Sequence, residues 1–152
     1  MLKASDVMTK NVITVTRKTG VKELAELFVL HRISSIPVVE DGVLVGMVTE
    51  TDLIEKDRNL HIPTVFSLFD GVFYLESGKV LEQQLRKITG QEVGDICSGK
   101  IAAVSPDTEI STIADIMSAN RYNAVPVVHD GLLVGIVARI DLIRTMIAQG
   151  EV

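Results

Sequence analysis

The chain repeats itself at a fixed spacing, and this repeat constrains the fold more than any other feature of the sequence. Residues 36–48 read Ile-Pro-Val-Val-Glu-Asp-Gly-Val-Leu-Val-Gly-Met-Val, and residues 125–137 read Val-Pro-Val-Val-His-Asp-Gly-Leu-Leu-Val-Gly-Ile-Val. Pro37 and Pro126 lie 89 positions apart. The same offset holds without a gap across the flanking residues. Such a repeat predicts two copies of one supersecondary unit that pack against each other.

Each copy carries the same order of local signals. A short extended piece (residues 12–15 or 101–104) precedes a helix, for which Thr19 and Thr108 are the predicted N-caps. The apolar residues of each helix follow i, i+3, i+4, i+7 spacing: Val21, Leu24, Ala25 and Phe28, or Ile110, Ile113, Ala114 and Met117. Two β-rich runs then meet across an Asp-Gly pair, a strong hairpin signal. A second helix follows, so the unit reads β-α-β-β-α.

The predicted fold class is α/β, of the mixed α+β type, with two β-α-β-β-α units packed about a pseudo-two-fold axis. One unit alone would leave a face of its small sheet bare, so two copies should share one core. We expect a first unit over residues 1–58, a connecting segment over 59–94 and a second unit over 95–152. Clefts should form where loops of both units meet.

Composition excludes several classes of protein. The net charge of −5 argues against general affinity for nucleic acid, which needs a basic face. No apolar run approaches the roughly 20 residues of a membrane span, and no secretory signal pattern follows Met1. The single cysteine, Cys97, excludes an internal disulfide and fits a reducing compartment. We therefore expect a cytoplasmic globular protein without nucleic-acid or membrane partners.

The connecting segment has no counterpart in the repeat. Its sequence predicts a helix over residues 77–89, with an apolar stripe of Leu81, Leu85 and Ile88. Most of the aromatic residues precede that helix, between Phe66 and Tyr74. The segment either folds back onto the core as a linker or forms a dimer contact, since aromatic residues concentrate in interfaces.

Two aspartates are the strongest candidates for chemistry. Asp52 and Asp141 each follow the last β-rich run of a copy, in Thr49-Glu50-Thr51-Asp52 and Ala138-Arg139-Ile140-Asp141. Thr49 and Asp52 could form a helix-capping pair. The second copy keeps the aspartate without the threonine, which favours a ligand-binding role. A carboxylate at a strand-to-helix turn can bind ribose hydroxyls, and the adjacent helix N-terminus favours phosphate.

These features together resemble the cystathionine-β-synthase-type (CBS) domain, and the pair resembles a Bateman module. The resemblance rests on the tandem β-α-β-β-α order, the Ile-Pro-Val-Val and Val-Pro-Val-Val runs, and the ending Gly46-Met47-Val48-Thr49-Glu50-Thr51-Asp52. It covers residues 5–56 and 95–148. It implies clefts that bind adenosyl ligands such as AMP, ADP, ATP or S-adenosylmethionine, with the aspartate on the ribose and the threonine turn facing the phosphate.

The resemblance also assigns residues to two clefts. One cleft would join Ala138, Arg139 and Asp141 to residues of the first copy, namely Met8, Asn11, Ile13, Ile33, Ser34 and Pro37. The other would join Thr49, Glu50 and Asp52 to residues of the second copy, namely Cys97, Lys100, Ala102, Tyr122, Asn123 and Pro126. From the residues alone, Met8, Ile13 and Ile33 are equally typical of a core.

The two copies differ in charge. The Asp141 cleft lacks the threonine hydroxyl but gains Arg139, which can bind phosphate in a forked geometry, or is simply a solvated helix charge. The Asp52 cleft would place Glu50 near a phosphate, with Lys100 to offset it. We therefore expect the Asp141 cleft to be the better site for a phosphorylated adenosine ligand.

The leading function is that of a ligand-sensing module that binds an adenine nucleotide (AMP, ADP or ATP) and changes the geometry of a homodimer or partner contact. The alternatives are a structural dimerisation module with little ligand affinity and a sensor of an S-adenosylmethionine-type ligand. We expect no enzyme activity, catalytic cofactor or metal, because the repeats contain no base–nucleophile pair and the histidines lack ligand spacing.

Overall fold

The computed structural model describes residues 1–59 and 91–152, with side chains described for 1–55 and 91–152. The first repeat contains helix α1 (Ala4–Val7), helix α2 (Val21–His31), strands β1 (Ser35–Glu40) and β2 (Val43–Thr49), and helix α3 (Glu50–Asn59). The second contains a 3-10 turn (Val93–Asp95), helix α4 (Ile110–Asn120), strands β3 (Ala124–His129) and β4 (Leu132–Ala138), and helix α5 (Arg139–Ala148). The mixed α+β class is confirmed.

Two sequence predictions lie outside the described residues: the helix over 77–89 and the role of the aromatic stretch between Phe66 and Tyr74. Within the described ranges, no helix combines the length and the apolar character needed to span a membrane.

The strands form one antiparallel sheet in the order β1-β2-β4-β3. Each copy supplies a hairpin, and the hairpins meet where Val43 pairs with Leu132. At the hairpin turns Asp41 and Asp130 have φ of 51°, and the glycines that follow them have φ of 80° and 81°. These left-handed conformations are those that a two-residue hairpin turn requires, so the Asp-Gly prediction is confirmed.

The extended piece that opens each unit contributes much less than a strand. Val15 bonds to β1 through both its backbone groups: its N–H donates to Pro37 O and its carbonyl accepts from Val39 N–H. Val104 makes the equivalent two bonds to Pro126 and Val128. Each piece is thus an isolated bridge of one residue, because the chain turns away immediately afterwards to start its helix.

The predicted N-caps of α2 and α4 are wrong. Gly20 and Glu109 occupy the N-cap positions of these helices, and neither makes a side-chain capping bond. Thr19 Oγ1 instead accepts the N–H of Thr16, and Thr108 Oγ1 accepts the N–H of Ser105, both at 3.0 Å. The threonines therefore close the turn before each helix, a bond that hydroxyl side chains readily make to nearby backbone.

The two repeats exchange the segments that precede their first helices. Ala4, from the start of the first repeat, is fully buried in the core of the second, with Val104, Ile113, Met117 and strand residues of β3 and β4. Val93, its counterpart 89 positions later, is fully buried in the core of the first repeat, around Leu24 and Phe28. Each core is therefore completed by the other half of the chain.

Paired backbone bonds hold the exchanged segments in place. Thr9 and Ile136 exchange two hydrogen bonds, with N–O distances of 2.8 and 3.0 Å. Ser98 and Met47 make the equivalent pair at 2.9 and 3.0 Å. Because these bonds attach each segment to the last strand of the other copy, they bring residues of both repeats to the ends of β2 and β4.

Candidate functional site

The larger of two clefts lies at the start of α5 and has a volume of about 580 Å³. We call it the Asp141 cleft. Residues of both repeats line it: from the first Thr9, Asn11, Ile13, Arg32, Ile33, Ser34 and Glu50, and from the second Asn123, Ile136, Ala138, Arg139, Asp141 and Arg144. Neither repeat alone could enclose this space.

The second cleft lies at the start of α3 and has a volume of about 360 Å³. We call it the Asp52 cleft. Most of its lining residues are the counterparts, 89 positions away in the sequence, of residues that line the Asp141 cleft. They are Met47, Thr49, Thr51, Asp52, Ser98, Lys100, Ala102, Arg121, Tyr122, Asn123 and Pro126. Ser35, Asn123 and Ala124 line both clefts. The clefts are therefore related by the pseudo-two-fold symmetry of the repeats.

Backbone bonds fix the helix that borders each cleft. The N–H of Glu50, the first residue of α3, donates to Ser34 O at 3.0 Å. The N–H of Arg139, the first residue of α5, donates to Asn123 O at the same distance. Each strand-to-helix turn is thus tied to the loop that leads into β1 or β3, so the first turn of the helix has a set position in the wall of the cleft.

Both aspartates cap their own helices through one carboxylate oxygen. Asp52 Oδ2 accepts the N–H of Thr49 at 2.9 Å, and Asp52 N–H donates to Thr49 Oγ1 at 3.2 Å, a reciprocal capping box. Asp141 Oδ2 accepts the N–H of Ala138 at 2.8 Å. Asp141 therefore keeps a capping role without a threonine, because its partner is a backbone group. The absence of a threonine at position 138 is therefore weaker support for a ligand-binding role of Asp141 than the sequence alone suggested.

The second carboxylate oxygen of Asp141 faces an arginine of its own helix. Arg144 Nη1 lies 3.8 Å from Asp141 Oδ1, and the Arg144 side chain is largely exposed while Asp141 is 6% exposed. A long contact to an exposed arginine is weak, so it leaves Oδ1 open to competition from a ligand hydroxyl. Asp52, which is half-buried, makes no ion pair within the described part of the chain.

Most residues that the sequence assigned to the clefts line them. The Asp141 cleft contains Asn11, Ile13, Ile33, Ser34, Ala138, Arg139 and Asp141. The Asp52 cleft contains Thr49, Asp52, Lys100, Ala102, Tyr122, Asn123 and Pro126. In the Asp141 cleft the structure thus brings together residues that are more than 100 positions apart in the chain, such as Asn11 and Asp141.

Four assigned residues lie elsewhere. Met8 packs against the core of the second repeat, over Gly135, and Cys97 packs against the core of the first, over Gly46. Pro37 is fully buried inside β1. Glu50 lines the Asp141 cleft instead of the Asp52 cleft, because its backbone is tied to Ser34.

The position of Glu50 changes the charge comparison between the clefts. The Asp141 cleft contains three arginines (Arg32, Arg139 and Arg144) and two carboxylates (Glu50 and Asp141). The Asp52 cleft contains Lys100 and Arg121 against one carboxylate. Each cleft therefore has one positive charge in excess, and the clefts differ mainly in size. Tyr122 occupies in the Asp52 cleft the position that Ile33 occupies in the Asp141 cleft. Its larger side chain is consistent with the smaller volume of the Asp52 cleft.

The clefts also contain residues for which the sequence predicted no role, namely Arg32, Arg121, Thr9, Ser98 and Arg144. Arg32 and Arg121 were detectable, because they are related by the 89-residue offset and both copies keep the same charged residue. Arg144 was not, since its counterpart is Glu55 and only the tertiary structure places it beside Asp141.

Comparison with known proteins agrees with the fold and the repeat. The family model described as "CBS domain" matches residues 4–59 and again residues 93–148. An uncharacterised protein of Methanocaldococcus jannaschii, MJ1426, is 44% identical over 153 residues, covering 93% of this chain and 89% of that protein. The chloroplastic CBS domain-containing protein CBSX1 of Arabidopsis thaliana is 33% identical, and the match covers 83% of this chain and 55% of that one.

Solved structures show the same architecture. The crystal structure of Arabidopsis thaliana CBSX2 in complex with AMP has a TM-score of 0.75 and 26% identity, and the match covers 99% of each chain. The pair of domains from protein MJ0100, solved with 5′-methylthioadenosine and S-adenosyl-L-methionine, has a TM-score of 0.71 at 21% identity, covering 98% of each chain.

Proposed function

The chain belongs to the CBS domain family, with two copies of the domain, and on this basis we propose that it senses adenosine ligands, with AMP, ADP or ATP as the ligand class. The observation that carries the proposal is that Asp52 and Asp141 each lie in a cleft built by both repeats. CBSX2, whose structure contains AMP, supports the choice of ligand class.

The geometry supports a division of labour within each cleft. The carboxylate at the helix start binds the ribose hydroxyls through the oxygen that is not engaged in capping. The first turn of the helix carries a partial positive charge, which favours a phosphate. Apolar side chains such as Ile13 and Ile33 in the Asp141 cleft form a wall suited to adenine.

We propose that the Asp141 cleft is the stronger nucleotide site. Its volume lies within the range of roughly 300–1,000 Å³ that small-molecule pockets occupy, whereas the Asp52 cleft is near the lower end. In the Asp52 cleft the Asp52 N–H already donates to Thr49 Oγ1. Ala138 has no hydroxyl with which to accept the equivalent N–H of Asp141, so that donor is available to a phosphate oxygen.

Sensing follows from the shared construction of the clefts. A ligand that contacts both repeats stabilises the arrangement in which they are close, and it changes a population only if its affinity differs between arrangements. We propose that this coupling, rather than catalysis, is the role of the module, and that the regulated contact is a homodimer or a partner protein.

A homodimer is consistent with the exposed apolar residues on α3 and α5, the last helix of each repeat. Ile54 on α3 and its counterpart Ile143 on α5 are 60% and 48% exposed, and Ile147 is 61% exposed. Ile140, Ile143 and Ile147 follow helical spacing and form one stripe. We propose that a second copy of the chain covers this stripe, which would bring the clefts of both protomers under one interface.

Calorimetric titration with AMP tests the ligand proposal. We expect wild-type protein to bind AMP, and Asp141→Ala to weaken the stronger site by about tenfold or more, as expected for loss of a hydrogen bond to a charged group. Asp52→Ala should affect only the weaker site. The matched control is Asp6→Ala, because Asp6 Oδ2 makes the same backbone cap to Lys3 N–H at 2.8 Å but lines neither cleft.

Thermal melting in the presence of adenosine, AMP, ADP, ATP and S-adenosylmethionine provides a second readout. A ligand in excess of its dissociation constant must raise the melting temperature. If none of these compounds shifts the transition of the wild-type protein, the sensing proposal fails and a purely structural dimerisation role is favoured. Equal loss of AMP affinity in the two variants would contradict the asymmetry between the clefts.

A further inference from the structure

Two arginines adopt the same left-handed backbone conformation at matched positions. Arg32 ends α2 with φ of 52°, and Arg121 ends α4 with φ of 57°. The N–H of each closes the helix by donating to Phe28 O or Met117 O. Glycine is the preferred residue at such helix ends, because a Cβ atom makes the conformation strained. Both copies nevertheless carry arginine, so the conformational strain of a side-chain-bearing residue in this conformation is present in each repeat.

Each of these arginines lines one cleft. Arg32 lines the Asp141 cleft and Arg121 lines the Asp52 cleft. Within residues 1–55 and 91–152, neither makes an ion pair with a carboxylate. Among the residues that the structure describes, the other non-glycine residues with positive φ are Asp41 and Asp130; they lie at hairpin turns that require this conformation, and they line neither cleft. The strain at the arginines is therefore associated with the clefts.

We propose that Arg32 and Arg121 are the anion-contacting residues of the two clefts, each binding the phosphate of the adenosine ligand in its own cleft. This inference rests on the proposed function and extends it, because it names the residues that distinguish phosphorylated ligands from adenosine. A guanidinium is always charged and presents several donors in a planar fork, which suits phosphate. Strained backbone that is retained at a cleft is typical of functional positions.

A purely structural alternative makes the opposite prediction. A cation at a helix C-terminus is stabilised by the helix dipole, so arginine could be retained for stability alone. In that case replacement by glycine would lower the melting temperature. If the arginines serve a ligand, glycine relieves the strain, and the ligand-free protein melts at the same temperature or higher.

The test compares AMP with adenosine in calorimetric titrations. Arg32→Gly is measured in an Asp52→Ala background, so that the remaining binding reports the Asp141 cleft, and Arg121→Gly is measured in an Asp141→Ala background. We expect each arginine replacement to weaken AMP binding about tenfold relative to its background, as for a lost charge-assisted hydrogen bond. Adenosine affinity should be unchanged. Arg32→Asn repeats the removal of charge with a second residue that tolerates this conformation.

Asp41→Gly is the matched control, since it relieves the same type of backbone strain outside both clefts and should leave AMP affinity unchanged. Unchanged AMP affinity in the arginine variants would overturn the inference while leaving the proposed function intact. Equal losses of AMP and adenosine affinity would also overturn it, because the arginines would then act on cleft shape rather than on phosphate. If wild-type protein binds neither compound, the proposed function fails, and this inference fails with it.

Discussion

The carboxylate of Asp141 accepts a hydrogen bond from the backbone N–H of Ala138, with Oδ2 lying 2.8 Å from the nitrogen. The same bond, to the residue three positions earlier, is made by Asp6, Asp52 and Asp95. Four aspartates related in pairs by the repeat thus cap four short turns or helices. Two of the four also line clefts, so the sequence position of the aspartate does not by itself separate a cap from a ligand-binding group.

Restoring a threonine at position 138 should stabilise the protein. Ala138→Thr would supply a hydroxyl acceptor for the Asp141 N–H and complete the reciprocal pair that Thr49 and Asp52 already form. A side-chain cap of this kind contributes about 1 kcal/mol. We expect the free energy of unfolding in urea to rise by about that amount. A decrease would mean that position 138 has no room for the side chain.

Removing the existing threonine should have the opposite effect. Thr49→Ala takes away the acceptor of the Asp52 N–H and leaves that donor without its side-chain partner. We expect a loss of about 1 kcal/mol in the free energy of unfolding, measured under the same conditions. The double variant Thr49→Ala/Ala138→Thr should return close to the wild-type value, because the two sites lie on different helices and their effects should add.

Gly135 should not tolerate a larger residue while Met8 is present. A Cβ atom at position 135 would lie 2.8 Å from Met8 Cγ and would also contact Met8 Sδ. We expect Gly135→Ala to lower the free energy of unfolding by roughly 1–3 kcal/mol, the usual cost of overpacking. Met8→Ala added to this variant should recover part of the loss, a coupling that a double-mutant cycle in urea unfolding measures. Simple additivity of the two losses would show that Met8 does not pack over Gly135.

The exchange of segments predicts that Val93 stabilises the first repeat. Its side chain is fully buried with Leu24 and Phe28, although it lies more than 60 positions away from them. Val93→Ala should lower the free energy of unfolding by about 2 kcal/mol, through lost burial and an incompletely filled cavity. Exposed Val29→Ala is the control and should change stability little. Equal effects from the two would contradict the exchange.

Disruption of the apolar stripe on α5 should dissociate the proposed homodimer. Ile147→Glu places a charge on a helix face that a second copy would bury, which is unfavourable unless the charge is paired. We expect sedimentation equilibrium to give a dimer for wild type and a monomer for this variant. Val152→Glu, at a residue that is exposed and apolar but beyond the helix, is the control. A monomeric wild-type protein would remove this interface proposal.

Part of this protein could be predicted from the repeat. The offset of 89 residues, the Asp-Gly turns and the helical spacing of apolar residues such as Leu24 and Ile113 are local features, and local features determine which elements form. The sequence also allowed the inference that each cleft is lined by residues of both repeats, because one small unit cannot cover its own sheet. The placement of Asn11, Ser34 and Asp141 in one cleft came from the family resemblance, not from local pattern.

Other features depended on contacts that only the tertiary structure establishes. Thr19 and Thr108 occupy positions typical of N-caps, yet they bond within the preceding turn because the chain enters each helix at Gly20 or Glu109. Glu50 faces the Asp141 cleft because its backbone is tied to Ser34, a partner on another element. Arrangements of this kind follow from the packing of distant segments.

The sequence by itself determined that there are two equivalent units with a hairpin and two helices each, since turn chemistry and hydrophobic spacing act over a few residues. Only the tertiary structure decided that Ala4 of the first repeat completes the core of the second, and that Val93 of the second repeat completes the core of the first. The physical reason is that both segments have nearly the same local sequence signals. Only the burial of the side chain against one core or the other, and the backbone bonds of Thr9 and Ser98, select the exchanged arrangement.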